Sequence, residues 1–565
     1  MADESEQKQT CSFSFKKRKN QAVRRRKSSE ESEGNSEEEK PTVVRKEKRL
    51  KTNLLVQSTA NASKKKRVKA SDSDNSSDSS DHEAVLVSYK SKRDTGPTGP
   101  SDMGATATIE IETEKDRDAQ AQFERALAIN KMAGVVKVLL AVVLLGTAVS
   151  LAADPKSDLA ADRLMWSAYL LSKEGPTADL TRRRPFNPLL DLDPVGLIQH
   201  YGYPAERHHV TTDDGYILGI HRIPGSGSSQ REAVRRPAVI LAHPLLSTSA
   251  EWLVAGPEKA LAFLLADEGF DVWLLNVRGN TYCLNHTTLS PHDDAFWDFS
   301  FHEHAVLDLP ATIQYVVRET GQQQVQYVGF SMGTTIMFVM ASERPDVAKH
   351  VTMFTALGPA TALVHSRSYA WRALAHASGA LKRMSRMLHT HRFLPSTAAL
   401  RTAGEVFCSD GSITQSLCVG LIAALAGRND AQFNKTMLPY IISRTPSGTS
   451  FKNIDHFAQS LKQGFQQYDY GHAENLRRYG SAAPPKYNVG NVNLPTRLYY
   501  GMNDHLADWT DAQKLCSELP NVLSCDAVKD PLWTHLDFVW AKDVVPLVYN
   551  KLIADLKESS FPVRT

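Results

Sequence analysis

A serine, an aspartate and a histidine, in that order along the chain, carry the chemistry. The serine lies in Gly329-Phe330-Ser331-Met332-Gly333, between the strand-like run Val325-Gln326-Tyr327-Val328 and an apolar helical stretch at 334–341. A serine on a sharp strand-to-helix turn has its hydroxyl lifted clear of the sheet, and flanking glycines let strand and helix pass closely. The same turn aims the Met332 N–H at the oxygen of a substrate carbonyl. A serine hydroxyl is a weak nucleophile alone and needs a histidine base oriented by an acid. Asp504 ends Gly501-Met502-Asn503-Asp504, just after the apolar Leu498-Tyr499-Tyr500. His535 lies in Trp533-Thr534-His535-Leu536-Asp537-Phe538, after a further strand at 522–528. Asp508 is a rival acid, but its place ahead of Trp509 reads as a helix cap. Asp537 also has a structural reading.

These groups need a rigid frame. Strand and helix patterns alternate: a strand pair around the Asp213-Asp214-Gly215 turn, a strand at 238–242, a helix around 258–265, a strand at 270–275 and a helix around 304–317. Alternation at this length predicts an α/β fold with a mainly parallel sheet and helices on both faces. Residues 360–490 break the pattern with amphipathic helices such as 369–388, a helical insertion that completes the core on the plainest reading.

Several separate motifs then point one way. Asp271-Val272-Trp273-Leu274-Leu275-Asn276-Val277-Arg278-Gly279-Asn280-Thr281 resembles the acid lipase family, which holds gastric and lysosomal acid lipases and insect relatives. So do Phe296-Trp297-Asp298-Phe299-Ser300-Phe301, Asp308-Leu309-Pro310-Ala311-Thr312, the serine elbow and His535-Leu536-Asp537-Phe538-Val539-Trp540. The resemblance covers 191–565. It implies an α/β-hydrolase fold with a cap and lid at about 360–490. It also implies Ser331 as nucleophile, Asp504 as triad acid and His535 as base, with the N–H groups of Leu245 and Met332 as oxyanion hole. The implied substrates are neutral-lipid esters, triacylglycerols or sterol esters, at a lipid–water interface, with no cofactor, no metal and no nucleic acid. Two residues depart from the family pattern. Phe330 stands where the family has histidine. Pro244, in His243-Pro244-Leu245, stands where it has glycine. Proline fixes φ near roughly −65° and lacks an N–H, so it predicts a displaced loop and weakened catalysis. A lipid-binding homologue with little or no turnover is the alternative.

The 565 residues carry a net charge of +3, which averages two unlike halves. Residues 1–131 are rich in Lys, Arg, Ser and Glu, with blocks such as Lys64-Lys65-Lys66-Arg67, and read as a disordered charged tail. Cys11-Ser12-Phe13-Ser14-Phe15-Lys16-Lys17 and Asp102-Met103-Gly104-Ala105-Thr106-Ala107 resemble the N-terminal region of splicing factors with CCCH and RING fingers. Both fingers are missing, since one cysteine builds no zinc site. The basic clusters allow nuclear targeting or RNA contact, and with this resemblance a splicing-associated nuclear protein in contact with the splicing machinery is a second alternative. At 132–153 a short basic start, an apolar run and small residues read as a signal peptide or, uncleaved, a signal anchor. A linker follows at 154–190. The internal signal and the two separate resemblances suggest two coding units joined between Lys131 and Met132. The lipase part is expected to be secreted or lysosomal.

Of six cysteines, Cys408, Cys418, Cys516 and Cys525 suit two disulfides in a secreted chain, with three pairings open, and Cys283 is left over. Asn285-His286-Thr287 and Asn434-Lys435-Thr436 are glycosylation sequons. His302-Glu303-His304 suggests a metal site, but residues two apart diverge on a helix, and a surface or capping role fits better. His208-His209 reads as a strand surface pair.

Overall fold

The computed structural model describes residues 188–225, 236–387, 392–397, 408, 412 and 414–560. The tail at 1–131, the signal-like segment at 132–153 and nearly all of the linker at 154–190 lie outside the described residues, with the readings attached to them. Among the described residues no helix is long and apolar enough to cross a membrane.

The lipase-like region opens with helix α1 (Pro194–His200), whose Asp193 cap accepts the Gly196 N–H at 2.8 Å. Strands β1 (Glu206–Thr211) and β2 (Tyr216–Ile223) form an antiparallel hairpin around the Asp214-Gly215 turn. Gly215 takes the positive φ of 97° that the turn requires. Then follow β3 (Ala238–Ala242), α2 (Leu261–Asp267), β4 (Asp271–Leu274), α3 (Leu309–Thr320), β5 (Val325–Phe330), α4 (Met332–Glu343) and β6 (Val351–Leu357). After an inserted helical region come β7 (Thr496–Tyr500), α9 (Trp509–Glu518), β8 (Val522–Ala527), α10 (Asp537–Trp540) and α11 (Asn550–Ser560). The insertion contributes α5 (Tyr369–Met387), α6 (Gln415–Ala426), α7 (Phe451–Gln463) and α8 (His472–Tyr479), within the segment expected to form the cap.

The strand order is β1-β2-β4-β3-β5-β6-β7-β8, and a two-residue strand, Asn285–His286, pairs with β2. Contacts β1–β2 and β2–β4 are antiparallel, and every later pairing along that order is parallel. Side-chain alternation builds two cores. Ile240 of β3 and Tyr327 of β5 face one layer, while Val239 and Leu241 of β3 and Val328 of β5 face the other. Helix α4 is apolar nearly all round and buried from Met332 to Ser342, as a helix behind a central strand must be.

Two boundaries moved from the sequence expectation. Helix α2 begins at Leu261, because Ala260 is still extended. The helix expected around 304–317 begins earlier, at Phe301, and passes through a π turn, His304–Asp308, before α3. Pro310 has no N–H to give to a carbonyl one turn back, so regular bonding cannot run through it.

Candidate active site

Ser331 sits between β5 and α4 with φ 54° and ψ −117°, a strained conformation for a residue with a side chain. The glycines around it are required by contact. A Cβ on Gly329 would lie 2.6 Å from the Gly333 carbonyl carbon, and one on Gly333 would lie 2.3 Å from the Ala242 carbonyl oxygen. The elbow therefore touches the end of β3, where the next loop begins. Met332 is the first residue of α4, so its N–H has no partner within the helix.

Asp504 and His535 arrive on the loops after β7 and β8, adjacent parallel strands. His535 Nδ1 lies 2.7 Å from Asp504 Oδ2, and Nε2 lies 2.8 Å from Ser331 Oγ. A carboxylate only accepts, so Nδ1 carries the proton and Nε2 is left to accept from the serine hydroxyl. The second Asp504 oxygen accepts the N–H groups of Leu506 at 2.9 Å and Ala507 at 2.8 Å. All three side chains are shielded: Asp504 is 0%, His535 2% and Ser331 6% exposed. Coulombic attraction in such a site is stronger than in water.

Two residues that the sequence did not single out, Ala426 and Gly358, help to hold this line, and Phe330, Asp508 and Asp537 find their places beside it. The Ala426 carbonyl at the end of α6 accepts both the His505 and His535 N–H groups, at 3.2 and 3.3 Å, which joins the acid and base loops. Phe330 packs 5.0 Å from the imidazole, ring centre to ring centre, which gives that departure a packing role. A Cβ on Gly358 would stand 3.2 Å from His535 Nδ1, so a small residue is needed there. Asp508 caps α9 through the Thr510 N–H at 2.9 Å and pairs with Arg367 at 2.7 Å. Asp537 accepts the Thr534 N–H at 2.8 Å and an Asn429 N–H at 3.2 Å; burial raises its carboxyl pKa to about 6. Both are thus bound away from the imidazole.

The loop after β3 is a turn over Pro244–Ser247, closed by the Ser247 N–H on the Pro244 carbonyl at 3.3 Å. His243 Nδ1 lies 2.8 Å from that same carbonyl. Its Nε2 faces the Val277 N–H at 3.4 Å and the Asn280 amide at 3.3 Å. Burial holds the His243 pKa down at about 4, so the ring is neutral, with its proton on Nδ1. Leu246, next to Leu245, takes a positive φ of 63°, and its carbonyl accepts the Ser447 N–H at 2.8 Å. Ser447 also meets the Thr281 hydroxyl at 2.6 Å. Leu245 itself is half-buried against the core layer that contains Met332.

Comparison with known proteins agrees with this geometry. A partial α/β-hydrolase lipase region matches residues 195–256, and the α/β-hydrolase fold matches 237–390. The chain is 37% identical over 388 residues to human lysosomal acid lipase/cholesteryl ester hydrolase, covering 68% of this chain and 95% of that protein. It is 36% identical over 400 residues to human gastric triacylglycerol lipase, covering 70% of this chain and 98% of that protein. Lipase 3 of Drosophila melanogaster is 39% identical over 361 residues, 64% of this chain and 91% of that one. The chain belongs to the acid lipase family. Its described region is an α/β-hydrolase, and its activity class is serine carboxylic ester hydrolysis.

The remaining sequence features of this acid lipase chain fall into place around the site. Cys408 is bonded to Cys418 and Cys516 to Cys525, while Cys283 is a buried free thiol. Asn285 is exposed on its short strand; Asn434 is half-buried and caps a short turn, accepting the Thr436 N–H at 3.2 Å. The His302-Glu303-His304 reading needs correction. Glu303 does form a capping box with Ser300, but none of the three is a surface group. His304 is fully buried, with a pKa driven down to about 3 by burial, and His302 is turned toward the Tyr487 hydroxyl at 2.8 Å. The strand pair is also split, because β1 alternates. His209 faces solvent, while His208 turns in to meet Tyr315 and Glu206, each at 2.9 Å.

Proposed function

We propose that this chain hydrolyses neutral-lipid esters, triacylglycerols or sterol esters, through an acyl-enzyme on Ser331. The observation that carries the reading is the continuous line Ser331–His535–Asp504, with contacts of 2.8 and 2.7 Å. Ser331 Oγ attacks the acyl carbonyl carbon as His535 Nε2 takes its proton. Asp504 holds the imidazole in the required tautomer and stabilises the imidazolium. The N–H groups of Met332 and Leu245 receive the oxyanion; one such donor is typically worth about 3 kcal/mol in the transition state. His535 returns the proton to the leaving alkoxide. It then draws a proton from water as the water oxygen attacks the acyl-serine carbon, and it gives that proton to Ser331 Oγ as the bond to the acyl group breaks and the fatty acid leaves. None of these steps calls on a cofactor or metal.

The names of the relatives support the substrate class and a secreted or lysosomal location. Two disulfides favour an oxidising compartment, and the signal-like residues 132–153 supply a route to it. Ser331→Ala should lower turnover of an emulsified triacylglycerol or a cholesteryl ester by at least about 10⁴-fold. Normal lipolysis by that variant would refute the assignment. Labelling by a fluorophosphonate separates an active hydrolase from a lipid-binding homologue, because only an activated serine reacts readily.

A further inference from the structure

We propose that Glu251 is a positioning residue for this reaction: its carboxyl group fastens the turn that carries Leu245 to the helix that follows His535. The inference rests on the ester-hydrolase reading above. Glu251 lies in the short turn Ser249–Trp252 and is 6% exposed. One carboxyl oxygen accepts the Ser247 hydroxyl at 2.5 Å, and the other accepts the Trp540 indole N–H at 2.5 Å. Ser247 is the residue whose N–H closes the turn on Pro244. Trp540 ends α10, the helix just after His535. One side chain thus spans two parts of the machinery that the sheet does not join directly.

The choice of residue is informative. Among the described ion pairs, none involves Glu251. Burial pushes its carboxyl pKa up, and only the two hydrogen bonds oppose that. A buried carboxyl without a cation is a poor way to gain stability, because an apolar side chain of similar size avoids the desolvation penalty. What leucine cannot supply is two acceptors on one rigid fork. Those acceptors hold the Ser247 and Trp540 donors a fixed distance apart. The turn is already strained at Leu246, whose φ is 63°. A strained turn keeps its shape only where its surroundings over-determine it. Ser249, the residue two before Glu251, is held in turn by Asn276 through its N–H at 2.8 Å.

The test compares two variants of the full chain on a soluble short-chain nitrophenyl ester, where interface binding plays no part. Glu251→Leu fills the space and avoids the cost of burying a carboxyl but leaves the Ser247 and Trp540 donors unpaired, so urea unfolding is followed alongside and kcat is taken per folded molecule. The leucine variant should lose about tenfold to a hundredfold in kcat while KM changes less than about twofold, the signature of misplaced transition-state groups. Glu251→Gln keeps one acceptor for Trp540 and meets Ser247 with its amide, so it should recover most of the rate. A leucine variant with kcat within about twofold of the parent would overturn the proposal, as would a glutamine variant as slow as the leucine one. Ser331→Ala is measured in parallel. Retained turnover there would remove the hydrolase reading itself, whereas an inactive alanine variant beside a fast leucine variant removes only the role of Glu251.

Discussion

Gly333→Ala is the substitution whose consequence is best fixed by the coordinates. An added Cβ would stand 2.3 Å from the Ala242 carbonyl oxygen, 2.9 Å from its carbonyl carbon and 3.0 Å from its Cβ. Ordinary contact begins near 3.4 Å, so the two backbones must part by about 1 Å. No side chain can swing away, because the closest atoms are main chain. Ala242 is pinned in register with Gly329 of β5, so the displacement falls on the start of α4 and on the loop after β3. Those are the two segments that carry Met332 and Leu245. Overpacking of this kind costs roughly 1–3 kcal/mol in stability. A misplacement near 1 Å in the groups that bind the oxyanion costs about a hundredfold in rate. The assay is kcat on a soluble ester for folded protein, with unfolding in urea alongside. A variant that keeps full turnover and parental stability would show that the elbow tolerates a side chain and that the reasoning from contact distance fails.

Asp504→Asn should cut kcat by roughly 10³–10⁴-fold, because an amide no longer fixes the His535 tautomer. Asp508→Ala should cost about 1 kcal/mol through the lost cap of α9 and leave kcat nearly unchanged; the reverse pattern in ester kinetics would exchange the two aspartates. Replacing Cys516 and Cys525, nine residues apart, by serine should cost about 3 kcal/mol in urea unfolding, and no loss would mean that the bridge adds nothing to the folded state. His456 is buried and stacked 3.7 Å from Phe301, and burial depresses its pKa to about 3. As pH falls below about 6.5 the unfolded chain takes up this proton first, so the His456 contribution drains at about 1.4 kcal/mol per pH unit until the folded pKa is reached. His456→Gln should therefore lose about 2–3 kcal/mol less than the parent between pH 6.5 and pH 4.5 in urea unfolding; identical pH slopes would mean the imidazole is not held neutral.

The hydrogen-bonded line Ser331–His535–Asp504 was legible in the sequence because its signals are local. Gly329, Ser331 and Gly333 report a backbone that must be tight on both sides, and Asp504 and His535 each follow an apolar strand. The sheet was legible for the same reason, since the short apolar runs of β3 and β5, buried at every position, are written in consecutive residues. What escaped depends on contacts between distant segments. Nothing near Ala426 signals that its carbonyl would meet both His505 and His535. Glu251 carries no local signal of its role until Trp540, 289 residues later, is placed against it. For His302-Glu303-His304 the helical divergence of residues two apart suggested a surface or capping role. The π turn at His304–Asp308 instead sends His304 into the core.

In the loop after β3 the strained backbone lies two residues beyond Pro244. Proline at 244 suggested displacement, because it restricts φ and removes a donor. In the folded chain Pro244 contributes its carbonyl, which accepts from both His243 and Ser247. The unfavourable backbone conformation belongs to Leu246, in the left-handed region at φ 63°. For a leucine that conformation costs about 1–2 kcal/mol. The cost is offset by bonds from three directions: Ser447 on the Leu246 carbonyl, His243 on the Pro244 carbonyl and Glu251 on the Ser247 hydroxyl. Ser447 belongs to the inserted region and the other two to the hydrolase frame. The turn that carries Leu245 is therefore held jointly by the frame and the inserted region, with Ser447 bonded to both the Leu246 carbonyl and the Thr281 hydroxyl.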